Sequence, residues 1–113
     1  MAKQLVILWT QNSEVTFTEM ILPYLMNSKL KGWWPKATLI IWGGSTQLVR
    51  DTPMIQESIQ GLVNHSITVR ACRSCANHLT ATALLESLGV DVCYMGVPLT
   101  DYLQKDDVKL LSL

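Results

Sequence analysis

Ser66-Ile-Thr-Val-Arg-Ala-Cys-Arg-Ser-Cys-Ala-Asn-His78 is the stretch on which the reading of this chain turns. Ile67, Val69 and Ala71 alternate with Thr68, Arg70 and Cys72, the period of a β-strand. The alternation stops at Cys72-Arg-Ser-Cys75, and a helical pattern begins at once, with Ser74 placed as N-cap and Cys75 as the first helical residue. A strand that runs straight into a helix is the unit of an α/β fold, and ligands and reactive groups gather at such junctions. A thiol in the first turn of a helix feels the positive end of the helix dipole, which favours thiolate. Cys75 is therefore the leading candidate for the reactive atom, and Cys72 for a second thiol that resolves an adduct by disulfide formation. Arg70 and Arg73 are candidates to support the thiolate if either side chain turns inward.

The same alternation of strand and helix extends in both directions. Gln4-Leu-Val-Ile-Leu-Trp9 is a continuous apolar run, as expected of a strand covered on both faces. Thr16-Phe-Thr-Glu19 has capping-box spacing with Thr16 as N-cap, and the helix after it is expected to bury Phe17, Ile21, Tyr24 or Leu25, and Ser28. Pro23 is expected to kink this helix and Gly32 to end it. Residues 37–42 form the second strand, followed by Gly43-Gly44-Ser45 and a short helical turn through Leu48 and Val49. Thr52-Pro53 opens a helix with Ile55, Ile59, Leu62 and Val63 on one face. The helix from Cys75 runs through Ala83 and Leu84 to Leu88 and stops at Gly89. Residues 90–95 make the fourth strand, Gly96-Val-Pro98 a turn, 99–103 a short helix and 108–113 the fifth strand. The expectation is one α/β domain over residues 1–113, a three-layer α/β/α sandwich around a mostly parallel five-stranded sheet.

Composition narrows the function. Charged residues are 16% of the 113 and apolar residues 49%, against a usual charged share of about 25%. So little charge implies that part of the surface is covered by other copies, which points to a homo-oligomer. Nine Lys and Arg balance nine Asp and Glu with no basic cluster, which argues against nucleic acid as a partner. No stretch approaches the roughly 20 apolar residues of a membrane span, and the first apolar run is too short for a signal peptide. Three cysteines read as free thiols rather than a disulfide framework, so a soluble, cytoplasmic protein is expected.

In a parallel sheet the segments that follow the strands collect along one edge. Here they are Thr10-Gln-Asn-Ser13, Gly43-Gly44-Ser45, Cys72-Arg-Ser-Cys75 and Gly96-Val-Pro98. Asn12, Ser13, Gly43, Gly44, Ser45, Arg73, Ser74 and Pro98 are thus the candidates to bind substrate or partner around Cys75 and Cys72. Asn12 and Ser13 have the competing role of helix caps, and Gly43-Gly44-Ser45 that of a plain tight turn. Trp9 and Trp42 end two strands on this edge, where they are expected to wall a pocket or anchor an interface. Trp33 and Trp34 belong at the opposite edge, as packing or interface residues. Cys72, Cys75 and His78 have the spacing of three zinc ligands, but a structural site takes four and Cys93 would have to supply the last. Neither a metal nor a cofactor is expected.

The motifs Gly32-Trp-Trp34, Leu39-Ile-Ile-Trp-Gly43 with Ser45, Val69-x-Ala-Cys-x-x-Cys-Ala76, Leu88-Gly-Val90 and Tyr94-Met-Gly-x-Pro-Leu-Thr-x-Tyr-Leu103 run along nearly the whole chain. In them the sequence resembles the DsrE/DsrF-like family of small sulfur-relay proteins, especially its stand-alone, uncharacterised members. The resemblance implies a five-stranded α/β/α domain assembled as a trimer or hexamer. It also implies a cysteine just after the third strand that carries sulfane sulfur as a persulfide between donor and acceptor proteins, and by position this is Cys75. Gly44, where similar proteins often have proline, and His78-Leu79-Thr80, in place of an aromatic-glycine-valine stretch, depart from the pattern. The function expected is that of a sulfur carrier or sulfurtransferase-like protein. The alternatives are a non-catalytic oligomeric protein that binds a small ligand or partner, and a thioredoxin-like dithiol oxidoreductase using Cys72 and Cys75. Against the last, no Trp precedes the CxxC, and Pro98 is the one proline available to face it.

Overall fold

In the computed structural model, which describes residues 3–113, the chain runs β1 (Gln4–Trp9), α1 (Glu14–Thr16), a π-helical turn (Phe17–Ile21), α2 (Leu22–Lys31), β2 (Lys36–Ile41), α3 (Gly44–Asp51), α4 (Pro53–Asn64), β3 (Thr68–Cys72), α5 (Arg73–His78), α6 (Thr82–Ser87), β4 (Asp91–Cys93), α7 (Gly96–Gln104) and β5 (Val108–Ser112). The five strands form one sheet in the order β4-β3-β2-β1-β5, and every pair is parallel, β5 included. The α/β/α sandwich expected from the alternation of strand and helix is the fold observed.

Strand order dictates the layers. From β1 to β4 the chain steps always in one direction across the sheet, and right-handed crossovers then stack α1 to α6 on one face. The step from β4 to β5 returns to the far edge beside β1, so α7 lies on the other face. The core follows this division. Phe17, Ile21 and Leu25 pack with Ile59, Leu62 and Leu85 against Ile7, Trp9, Leu39 and Ile41 in the larger cluster. Across the sheet, Leu99 and Tyr102 of α7 meet a smaller cluster built on Val6, Ile40, Cys72 and Met95. One nine-residue helix covers that second face, and Leu8, Trp42 and Leu110 remain half-buried there.

The local signals of the sequence hold at most turns and are displaced at some. Gly32 closes α2 in the left-handed region, φ 67°, with Trp33 N–H on the Ser28 carbonyl at 3.0 Å. The first helix starts one turn earlier than the capping box at Thr16 suggested. Ser13 is the N-cap, its Oγ accepting the Thr16 N–H at 3.2 Å. Pro23 is absorbed by the π turn just before it, in which the Leu22 N–H reaches back to Phe17. The short turn expected at Leu48 is a full eight-residue helix, α3.

The single helix expected from Cys75 to Leu88 is two. Thr80 sits at φ 54°, Ala81 N–H bonds the Ala76 carbonyl at 2.8 Å, and Thr80 N–H bonds Asn77 at 3.2 Å, which is a complete Schellman closure. Glycine is the usual residue at that left-handed position, so threonine there carried no stop signal. The turn expected at Gly96-Val-Pro98 is instead the first turn of α7, and β4 is only three residues long.

Candidate functional site

β3 delivers Cys72 to the end of the sheet, and α5 begins at the next residue. The N-cap of α5 is Cys72, not Ser74, so Cys75 is the third helical residue rather than the first, and Ser74 is exposed. Cys72 is 5% exposed within the smaller core cluster, while Cys75 is half-buried beside it. The Cys75 thiol packs in the cluster that contains Cys72, near enough to it and to the Gly43 backbone N–H for both to act on its ionisation.

That N–H is aimed by the loop after β2. Gly43 adopts φ 67°, ψ −129°, a conformation open to glycine and closed to most L-residues. At Gly44 an added Cβ would lie 3.0 Å from the Thr10 carbonyl oxygen and 3.2 Å from Asn12 N, both backbone atoms that cannot swing aside. Ser45 is fully buried and fastens the two loops together: its Oγ donates to the Trp9 carbonyl at 2.6 Å and accepts from Trp42 N–H at 3.0 Å. Of the three residues in this turn, Gly43 presents its N–H toward the thiol, Gly44 lets the neighbouring loop approach, and Ser45 is structural.

A third thiol belongs to the group, and sequence reasoning placed it only as a spare metal ligand. Cys93 of β4 is the register partner of Cys72 on β3. Its Sγ is 3.4 Å from Arg70 Nη2 and 3.4 Å from Met95 Sδ. Arg70 also donates to Asp91 Oδ2 at 3.0 Å and to the Tyr102 hydroxyl at 3.1 Å. Burial works against the Arg70 charge, but Tyr102, Cys93 and Asp91 outweigh it and hold its pKa above the ordinary value. Cys93 falls within the fourth strand expected over residues 90–95, but which β3 residue lies opposite it depends on register, which sequence does not display.

Electrostatics at Cys75 run opposite to the thiolate expectation. Burial pushes its pKa up, the Gly43 N–H pulls it partly back, and the adjacent Cys72 pushes it up again. Neither arginine helps: Arg70 is engaged at Cys93, and Arg73 turns to the Val92 carbonyl and toward Glu86. A helix of only six residues, entered two positions before Cys75, does not overcome these terms. Because thiolate is the nucleophile, alkylation of Cys75 by iodoacetamide is expected to accelerate about tenfold per pH unit, with no plateau by pH about 8.5, the ordinary thiol value. Rates from peptide mapping across pH 6 to 10 check this; a plateau at or below the ordinary value contradicts it.

The remaining candidates separate from the thiols. Asn12 is exposed, with its backbone against Gly44, and Ser13 caps α1. Pro98 does not face the CxxC: it lines a cleft with Gln4, Lys36, Arg70 and Tyr102 under α7. Trp9 is fully buried and stacks on Phe17, ring centroids 4.8 Å apart, so it is core rather than a pocket wall. Trp42, by contrast, packs half-buried in the same cluster as Cys75. Trp34 Nε1 donates to the Tyr24 hydroxyl at 3.1 Å and Trp33 lies against the same ring, a packing role. All three cysteines are free, and among the described residues no group of three or more His, Cys, Asp or Glu is placed to hold a metal ion. No described helix is long and apolar enough to cross a membrane.

No protein-family model matches the sequence, and no curated protein does. Two solved structures are similar to it. The YchN protein from E. coli superposes over the full length of both chains with a TM-score of 0.72 at 14% identity, a likeness of fold. BT1422 from Bacteroides thetaiotaomicron, a conserved protein of unknown function, matches 98% of this chain and 95% of its own with a TM-score of 0.94 and 37% identity. At that identity over nearly the whole of both chains, this protein belongs to the family of BT1422.

Proposed function

We propose that this protein is a sulfur carrier of the DsrE/DsrF-like type, with Cys75 as the sulfur-bearing residue. The observation that carries the reading is the placement of the Cys75 thiol: half-buried at the strand-end edge, beside the Gly43 N–H and packed in one cluster with a second thiol, Cys72. The DsrE-like fold family of YchN supports it. In the loading step the Cys75 thiolate attacks the outer sulfur of a donor persulfide R–S–SH. The new bond makes Cys75–S–SH, and R–S⁻ leaves with the electron pair of the broken S–S bond. In the unloading step an acceptor thiolate attacks the same outer sulfur and Cys75 leaves as thiolate. No cofactor takes part. The Gly43 N–H stabilises the sulfur anion that exists before loading and after unloading.

The raised Cys75 pKa fits a carrier that rests as thiol and reacts when a docked partner supplies a base. The same reading takes the protein to be a cytoplasmic homo-oligomer, a trimer or hexamer that meets donor and acceptor proteins at the thiol edge. The low charge and the single-helix cover over Leu8, Trp42 and Leu110 support association through that face. The test is incubation with a sulfane-sulfur donor followed by intact-mass measurement. A gain of one sulfur atom, removed by a thiol acceptor, is expected. Absence of any adduct overturns the carrier reading in favour of a non-catalytic binding protein.

A further inference from the structure

A cleft of about 270 Å³ opens under α7 at the end of the sheet opposite Cys75. We propose that it is a binding site for a small oxyanion of the phosphate class. Gln4 and Lys36, the first residues of β1 and β2, are register neighbours and form one wall; Asp101 and Tyr102 of α7 with Lys105 just past its end form the other, and Arg70 of β3 reaches in from the side. Because β3 ends at Cys72 and Gln4 and Lys36 open their strands, the cleft lies away from Cys75, with Arg70 reaching from it to Cys93.

The charge of the lining is what points to an anion. Three of the nine basic residues of a chain with zero net charge converge here from three separate segments, against Asp101 in the lining and Asp91, which pairs with Arg70 from outside it. Among the described residues neither Lys36 nor Lys105 forms an ion pair. Arg70 is fixed rather than loose. Three of its five N–H groups are committed to Asp91, Tyr102 and Cys93, which locks the guanidinium plane and leaves two N–H donors among the described residues without a protein acceptor. A tetrahedral oxyanion suits such a planar fork. The Tyr102 hydroxyl accepts from Arg70 and keeps its own proton to donate.

Unspent polar groups lie on the same sheet face. Thr38, between Lys36 and Ile40, is completely buried and its Oγ1 has no partner. The Gln4 Oε1 is buried without a partner as well, and turning that amide over presents its NH₂ as a further neutral donor. Unpaired buried polar atoms cost stability, and the one on Gln4, in the cleft lining, fits a site completed by a ligand, whereas Thr38 lies beneath the lining. The volume admits a small ion with a few waters, given about 30 Å³ per water.

The test titrates inorganic phosphate at constant ionic strength, with chloride as the balancing ion, following the melting temperature and backbone amide NMR shifts. Expected is a saturable rise in melting temperature with the largest shifts at residues near Lys36, Arg70 and Tyr102. Lys36 and Lys105 are exposed, so Lys36→Gln with Lys105→Gln is expected to fold normally and bind phosphate about tenfold more weakly. Equal affinity in that double variant, a response that chloride reproduces, or shifts centred on Cys75 instead of the cleft overturns the proposal.

Discussion

Cys75→Ser is expected to abolish sulfur loading, at least about a 100-fold loss of adduct, whereas Cys72→Ser loads normally and holds its sulfur longer. The two thiols share a cluster but are not equivalent. Cys75 is half-buried at the edge, within reach of a docked donor, while Cys72 is 5% exposed behind it. Serine keeps nearly the size of the side chain, so the fold survives and only the nucleophile is lost. In the wild type, Cys72 is placed to attack Sγ of the loaded Cys75–S–SH, forming a Cys72–Cys75 disulfide and expelling HS⁻. The Cys72→Ser variant lacks that exit. Intact-mass measurement over time reads both effects, adduct yield for one variant and adduct lifetime for the other. A full adduct on Cys75→Ser would move the carrier role to Cys72 or Cys93, and an unchanged lifetime in Cys72→Ser would remove Cys72 from the chemistry.

The largest stability effect is expected at Trp9. Trp9→Ala empties the centre of the larger core cluster, where the indole stacks on Phe17. Large aromatic-to-alanine changes in a packed core cost about 3–5 kcal/mol, a large part of the total of about 5–15 kcal/mol for a domain. One term works the other way: the Trp9 Nε1–H is buried with no partner, and removing it returns about 1–3 kcal/mol of desolvation cost. The expected loss therefore lies at the lower end of the range, about 3 kcal/mol, read from the midpoint of a urea melt. A loss under about 1 kcal/mol would mean that the indole is not a core element. Trp9→Phe, which keeps the ring and drops the orphan donor, is expected to be much milder.

Both predictions depend on residues whose type and position were legible at different levels. Strand and helix were visible because their apolar periods are local: Gln4 to Trp9 reads as a strand in isolation, and Phe17, Ile21, Leu25 and Ser28 share a helical face in fact as in pattern. Gly32 and Gly89 marked helix ends because glycine enters the left-handed region freely, and both do so. Thr80 does the same work without the signal, which is why one helix was expected where two stand. Ser13 outcompeted Thr16 as cap because the exit from β1 brings its hydroxyl under the first turn, a matter of chain path rather than residue type.

The candidate site divides along the same line. Cys72-Arg-Ser-Cys75 was identifiable from sequence alone, since an alternating run that stops at a CxxC and turns helical announces a strand-to-helix junction. What surrounds it was decided by tertiary structure. Strand order set α7 alone on its face, carrying Pro98 away from the thiols and forming the cationic cleft. Register set Cys93 beside Cys72. Close packing of two loops turned Gly43 toward Cys75 and buried the thiol enough to reverse the expected shift of its pKa. Local periodicity determines which elements form because it depends only on neighbours in the chain. Which groups meet, and how much water they keep, depends on segments tens of residues apart and belongs to the folded molecule.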